Sequence, residues 1–117
     1  MFRRAVVLSL FGLLLAAAPA HAAQVVVLHC THGATPAERS VTFEGRIAPW
    51  GRSRRMQMRF TLQARTPDQA WDKVAAPGFG AWITAPRGVG RYLYDKTVDG
   101  LLAPATYRAV VDFRWRQ

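Results

Sequence analysis

His29-Cys30-Thr31-His32 is the densest group of ligand- and nucleophile-type residues in this 117-residue chain. On an extended strand Cys30 and His32 share one face and His29 points away, so at most two ligands converge locally. Zinc requires three or four. A Cys30–His32 nucleophile would need a lowered thiol pKa, and a cysteine set in an apolar strand is ordinarily inert packing. There is no Gly-x-Ser-x-Gly turn, and the seven acidic residues are scattered with no obvious pair along the sequence. Gly88-Val89-Gly90 lacks the third glycine and the following helix of a dinucleotide loop. These residue types predict no catalytic residue, no metal site and no cofactor, hence a chain that is not an enzyme.

The other chemistry on offer is cationic. Lys and Arg number 16 against seven acids, a formal net charge of +9, and all but Lys73 and Lys96 are arginine. Arginine keeps its charge at any working pH and grips carboxylate or phosphate with two N–H groups at once. Arg52, Arg54, Arg55, Arg87 and Arg91, near Trp50 and Trp82, are the candidate anion-binding set. The arginines are nevertheless spread along the chain, which suits a merely soluble basic surface as well. Of the tryptophans, Trp82 and Trp115 are expected in the core. Trp50, flanked by turn residues, is the better surface candidate for stacking on a sugar or base.

The elements that must carry these residues are strands. Period-two alternation recurs, and helical periodicity is missing. Gln24 to Cys30 is β-rich, with Val25 and Val27 on one face and Val26, Leu28 and Cys30 on the other. A polar turn precedes Ser40 to Ala48, where Val41, Phe43 and Ile47 alternate with Thr42, Glu44 and Arg46. The clearest strand has Met56, Met58, Phe60 and Leu62 inward and Arg55, Gln57, Arg59, Thr61 and Gln63 toward water. Thr66-Pro67-Asp68 suits the cap of a helical turn over Gln69 to Val74. Short strands follow at Ala81 to Thr84 and Arg91 to Val98, the latter with Tyr92 and Tyr94 on one face. The last runs from Tyr107 to Trp115, with Ala109, Val111 and Phe113 on the core side and Arg108, Asp112, Arg114 and Arg116 opposite. Short strands joined by Gly/Pro turns predict an all-β sandwich of two antiparallel sheets.

The N-terminus reads as an address. Arg3 and Arg4 precede an apolar run from Ala5 to about Ala18, and Ala20-His21-Ala22 has small residues where a signal peptidase reads. The run is shorter than the ~20 residues that span a bilayer. Residues 1–22 are therefore expected to be a cleaved signal peptide, with residues 23–117 forming one domain that works in the cell envelope or outside the cell. Cleavage removes Arg3 and Arg4, leaving 14 basic residues against seven acids, about +7. Cys30 is the single cysteine, so no internal disulfide forms. It is a buried small residue, a free thiol, or half of a bridge to another chain.

Gly100-Leu101-Leu102-Ala103-Pro104-Ala105-Thr106-Tyr107-Arg108-Ala109-Val110-Val111 resembles the corner between the fifth and sixth strands of immunoglobulin and fibronectin type III domains. That resemblance implies a structural role for Tyr107, whose hydroxyl would bond backbone a few residues upstream. Leu101 would plug the core and Pro104 would fix the bend. The mature region further resembles a group of small, secreted, uncharacterised bacterial proteins of immunoglobulin-like type. The similarity lies in Arg55-Met56-Gln57-Met58-Arg59-Phe60-Thr61-Leu62, Ala76-Pro77-Gly78-Phe79-Gly80-Ala81-Trp82 and Tyr107 through Trp115. It implies no activity or cofactor. Similar chains continue past the Phe-Arg-Trp strand through one more strand to a second cysteine. The expected sandwich thus lacks its last strand, and one edge of the Tyr107–Trp115 strand needs a partner. Another chain or a second copy could add that strand, with Cys30 pairing across the contact; the alternatives are a chain truncated before its last strand or a local segment folding over the edge.

The sequence therefore leads to a secreted, non-catalytic binding or interaction module. Its partners are another protein or a second copy at the open sheet edge, with no specific nucleic acid and no transmembrane span after processing. The alternative is a cationic protein associating with anionic cell-envelope polymers.

Overall fold

A computed structural model describes residues 2–9, 12–14, 22–50 and 55–116. The described residues form nine strands: β1 (Phe2–Ser9), β2 (Gly12–Leu14), β3 (Ala23–Thr31), β4 (Ser40–Ile47), β5 (Arg55–Arg65), β6 (Asp72–Val74), β7 (Trp82–Thr84), β8 (Tyr92–Asp99) and β9 (Thr106–Arg116), of which β3, β4, β5, β7, β8 and β9 follow the expected alternation. They build two antiparallel sheets, a larger one in the order β2-β1-β9-β5-β6 with β7 also on β5, and a smaller one in the order β3-β4-β8. The sheets pack as a sandwich. Among the described residues no helix is long and apolar enough to cross a membrane.

The core is what the period-two pattern demands. Val25, Val41, Phe43, Ile47 and Val98 from the smaller sheet meet Met56, Met58, Phe60, Leu62, Tyr107, Ala109, Val111 and Phe113 from the larger one. Gly45 occupies the core side of β4 because Met58 and Phe60 lean onto it. A Cβ there would sit 2.6 Å from Met58 Sδ and 2.9 Å from Phe60 Cζ. Leu101 is buried and Pro104 follows a cis peptide bond. The Tyr107 hydroxyl accepts from the Leu102 N–H at 2.9 Å and donates to the Leu102 carbonyl at 3.2 Å.

Four expectations need correction. First, Gln69 to Val74 is not helical. Asp68 takes φ 63, outside the helical region, and the Gln69 N–H closes a turn onto the Thr66 carbonyl. Asp72–Val74 then pairs with Leu62–Ala64 along an edge of β5. Second, β3 is bulged between Val27 and His29. The extra residue pushes Leu28 out to 45% exposure and reverses the phase, so Cys30 packs on the core side with Val25 and Val27 instead of opposite them. Third, Gln57 is buried rather than facing water. It lies between Thr84, to which it donates at 2.8 Å, and Arg114, from which it accepts at 2.6 Å.

The fourth concerns the edge of β9. It is not open: Phe2–Ser9, from the segment read as an export leader, pairs antiparallel with Thr106–Phe113 along its whole length. A local segment folding over the edge is thus the arrangement present, and β9 lies inside its sheet with β5 on the other side.

Two substitutions check this frame by urea unfolding. Gly45→Val should overpack the Met58–Phe60 contact and cost about 1–3 kcal/mol. Tyr107→Phe, which removes both hydroxyl bonds to Leu102 while keeping the ring, should cost about 1 kcal/mol.

Candidate functional site

β5 and β9 pair over eleven residues, from Arg55↔Arg116 to Arg65↔Thr106. With Met56, Met58 and Phe60 turned inward, the odd residues of β5 and the even residues of β9 must share the outer face. Register adds Arg3 of β1 opposite Asp112, and Trp82 and Thr84 of β7 opposite Arg59 and Gln57. Among the described residues that face carries seven arginines, namely Arg3, Arg55, Arg59, Arg65, Arg108, Arg114 and Arg116, with one acid from those strands, Asp112.

Two tryptophans organise these cations. The Arg114 guanidinium lies 3.8 Å from the Trp82 ring and that of Arg59 4.6 Å from it. Arg108 stands 4.2 Å and Arg65 4.8 Å from Trp71. Glutamines in the cross-strand positions hold the stacks in place. Arg108 Nε donates to Gln63 Oε1 at 2.6 Å, just as Arg114 Nε donates to Gln57. A guanidinium fixed by a ring on its face and an amide at Nε is pre-oriented, so little rotamer freedom remains to be lost on binding.

The electrostatics are uncompensated. Among the described residues no acid pairs with Arg55, Arg65, Arg108, Arg114 or Arg116. Desolvation, then the charge of Arg65, lowers the pKa of Arg108. Desolvation, then Arg116 and Arg59, lowers that of Arg114. Crowded cations that disfavour one another's charge form a site that an anion relieves.

Asp112 is the exception. It is 1% exposed, with Oδ1 2.8 Å from Arg3 Nε, and Oδ2 3.0 Å from Arg59 Nη2 and 3.4 Å from Arg3 Nη2. Burial alone would push its carboxyl up. The hydrogen bonds and charges of Arg3 and Arg59 overcome this and hold it below the usual carboxylate range.

The candidate anion-binding set fares unevenly. Arg55 belongs to the outer face, opposite Arg116. Arg87 and Arg91 are exposed in the connection from β7 to β8, which crosses to the other sheet. Arg52 and Arg54 lie outside the described residues. Trp82 is not a core residue but the ring on which both Arg59 and Arg114 stack. Trp115 packs half-buried at the core margin, donating from Nε1 to the Ala48 carbonyl at 2.7 Å. Trp50 is 55% exposed and meets Trp115 edge-on at 5.3 Å.

Cys30 Sγ lies 3.4 Å from His32 Nε2, and burial pushes its thiol pKa up, away from the thiolate a nucleophile needs. Among the described residues no three His, Cys, Asp or Glu side chains come together. An acidic pair does exist, contrary to the linear reading. Register sets Glu44 opposite Asp95 on the outer face of the smaller sheet. Desolvation, then hydrogen bonding and repulsion from Glu44, raises the Asp95 carboxyl, while Arg46 opposes this. Arg46 Nε also holds Glu44 at 2.6 Å. The sandwich is thus basic on one outer face and carries its acidic pair on the other.

No protein-family model, curated protein or solved structure matches the chain, so the site is read from its geometry.

Asp112 supplies a pH test. Its folded pKa is lowered, so the folded state binds fewer protons than the unfolded chain near the ordinary carboxylate value of about 3.9. Its contribution should be full above about pH 5 and fade as pH falls through and below about 4. Urea midpoints measured across that range should drop more steeply for the wild type than for Asp112→Asn.

Proposed function

We propose that this protein is an exported, non-catalytic binding module of immunoglobulin-like type. It associates with anionic cell-envelope polymers through the arginine–tryptophan face of its larger sheet. The observation that carries this reading is the composition of that face, where, even without Arg3 of the leader, six arginines of β5 and β9 stand beside one buried acid. A long, ring-braced cationic surface suits an extended polyanion better than a small anion, because spaced phosphates or carboxylates can engage successive guanidinium groups.

Other features support the remaining parts of the reading. The Tyr107 hydroxyl bonded to Leu102 supports the immunoglobulin-like comparison. The Arg3-Arg4 pair, the apolar run and Ala20-His21-Ala22 support export. The raised thiol pKa of Cys30 supports a non-catalytic role.

Soluble poly(glycerol phosphate) is a suitable probe. Its affinity should fall steeply with added salt, as counterion release requires. Arg108→Ala and Arg114→Ala should each weaken binding and lower the log–log salt slope by about one. Arg87→Ala and Arg91→Ala, off the face, should leave it unchanged. Salt-insensitive binding, or equal losses at all four positions, would refute the proposed face.

A further inference from the structure

The segment that carries the export signature also closes the sheet. Phe2–Ser9 covers the β9 edge, and Val6, opposite Ala109, is fully buried in the core cluster. β1 also lies against β3 of the smaller sheet. On the outer face Arg3 grips the buried Asp112 through two nitrogens. One eight-residue strand therefore supplies backbone pairing, a core side chain and the counter-ion of a buried carboxylate.

These residues cannot be both a removed leader and a resident strand. Removing them would leave the N–H and C=O groups of β9 that face β1 unpaired, a void where Val6 stood, and Asp112 with Arg59 alone. Each change is costly in a packed sheet. Together they outline a peptide-shaped vacancy with a defined register.

We infer that the β9 edge is a strand-acceptor slot for an extended segment of a partner polypeptide. That segment runs antiparallel to β9, with a basic residue opposite Asp112 and a branched apolar residue three places later opposite Ala109. The inference rests on the export reading above, since loss of residues 1–22 is what empties the slot. Charge argues for a different protein over a second copy. Pairing β9 with β9 would align two arginine faces edge to edge in one continuous sheet, whereas a single basic residue at the Asp112 register is compensated locally.

The leader is an imperfect occupant. Arg4 pairs with Val111, a fully buried core residue, so it shares the core side with Val6 and is itself half-buried. An apolar residue at that position would fill the slot better, and a dedicated partner strand is expected to have one.

The test uses the full chain, folded first and then cut at a protease site introduced within residues 15–21. A fluorescent peptide with the sequence of residues 2–9 is then exchanged in and followed by anisotropy. Because the substitutions are made in the peptide, the folded body is the same in every measurement. Saturable binding is expected, weaker by about tenfold or more for peptides carrying Arg3→Glu or Val6→Asp. The Arg4→Val peptide should bind several-fold tighter. Equal binding by all four peptides, or none by any, overturns the slot. A body that doubles in mass by light scattering once freed of its strand overturns the partner assignment in favour of a second copy. Intact mass of the product recovered outside the cytoplasm tests export separately. Loss of residues 1–22 supports an emptied slot, and their retention overturns the cleavage on which the emptied slot depends while the peptide measurement stands by itself.

Discussion

The eleven-residue pairing of β5 with β9 is the contact on which the rest of the molecule depends. It sets Met56, Met58, Phe60 and Leu62 beside Tyr107, Ala109, Val111 and Phe113, giving the larger sheet one continuous apolar face. By the same two-residue alternation it forces Arg55, Arg59 and Arg65 beside Arg108, Arg114 and Arg116 on the other side. Core and cationic face are therefore two consequences of one register. A slip by one residue would exchange them, burying arginines and exposing phenylalanines, so register is held by the full cost of that exchange.

A face so rich in like charge needs devices to hold it together. Trp71 and Trp82 offer ring faces to guanidinium groups that would otherwise repel one another in water. Gln57 and Gln63 accept from arginine Nε atoms without adding charge. Among the described residues of β1, β5 and β9, Asp112 is the only carboxylate, and it is buried and shared between strands on both sides of its own. The face is thus ordered yet left positive. The proposed binding role rests on that combination, because the arginines of a merely soluble surface are solvated singly.

Much of this was legible in the residues. Alternation located β3, β4, β5, β8 and β9 within a residue or two and named most of the core. The outward arginines of β5 and β9 were legible too, but only as two separate rows. Short-range signals failed where tertiary pairing overrode them. Thr66-Pro67-Asp68 looks like a helix start, yet the adjacent edge of β5 offers hydrogen bonds that Asp72–Val74 takes instead. Leu28 and Cys30 look like neighbours on one face until the bulge reverses the phase. Trp82 looks like core because large aromatics usually are, but it faces outward at the Arg59 register.

What the sequence determined by itself was the period of the pattern, and with it the strand identity of β3, β4, β5, β7, β8 and β9, most of the inward residues and the strongly basic balance. Those follow from side-chain polarity and backbone geometry, which act over a few residues. Only the tertiary structure decided which strands lie side by side. It thereby decided that six arginines of β5 and β9, far apart in the chain, form one face, that Glu44 meets Asp95, and that Phe2–Ser9 occupies the edge of β9. Strand pairing is a contact between distant segments, and no spacing along a single strand records its partner.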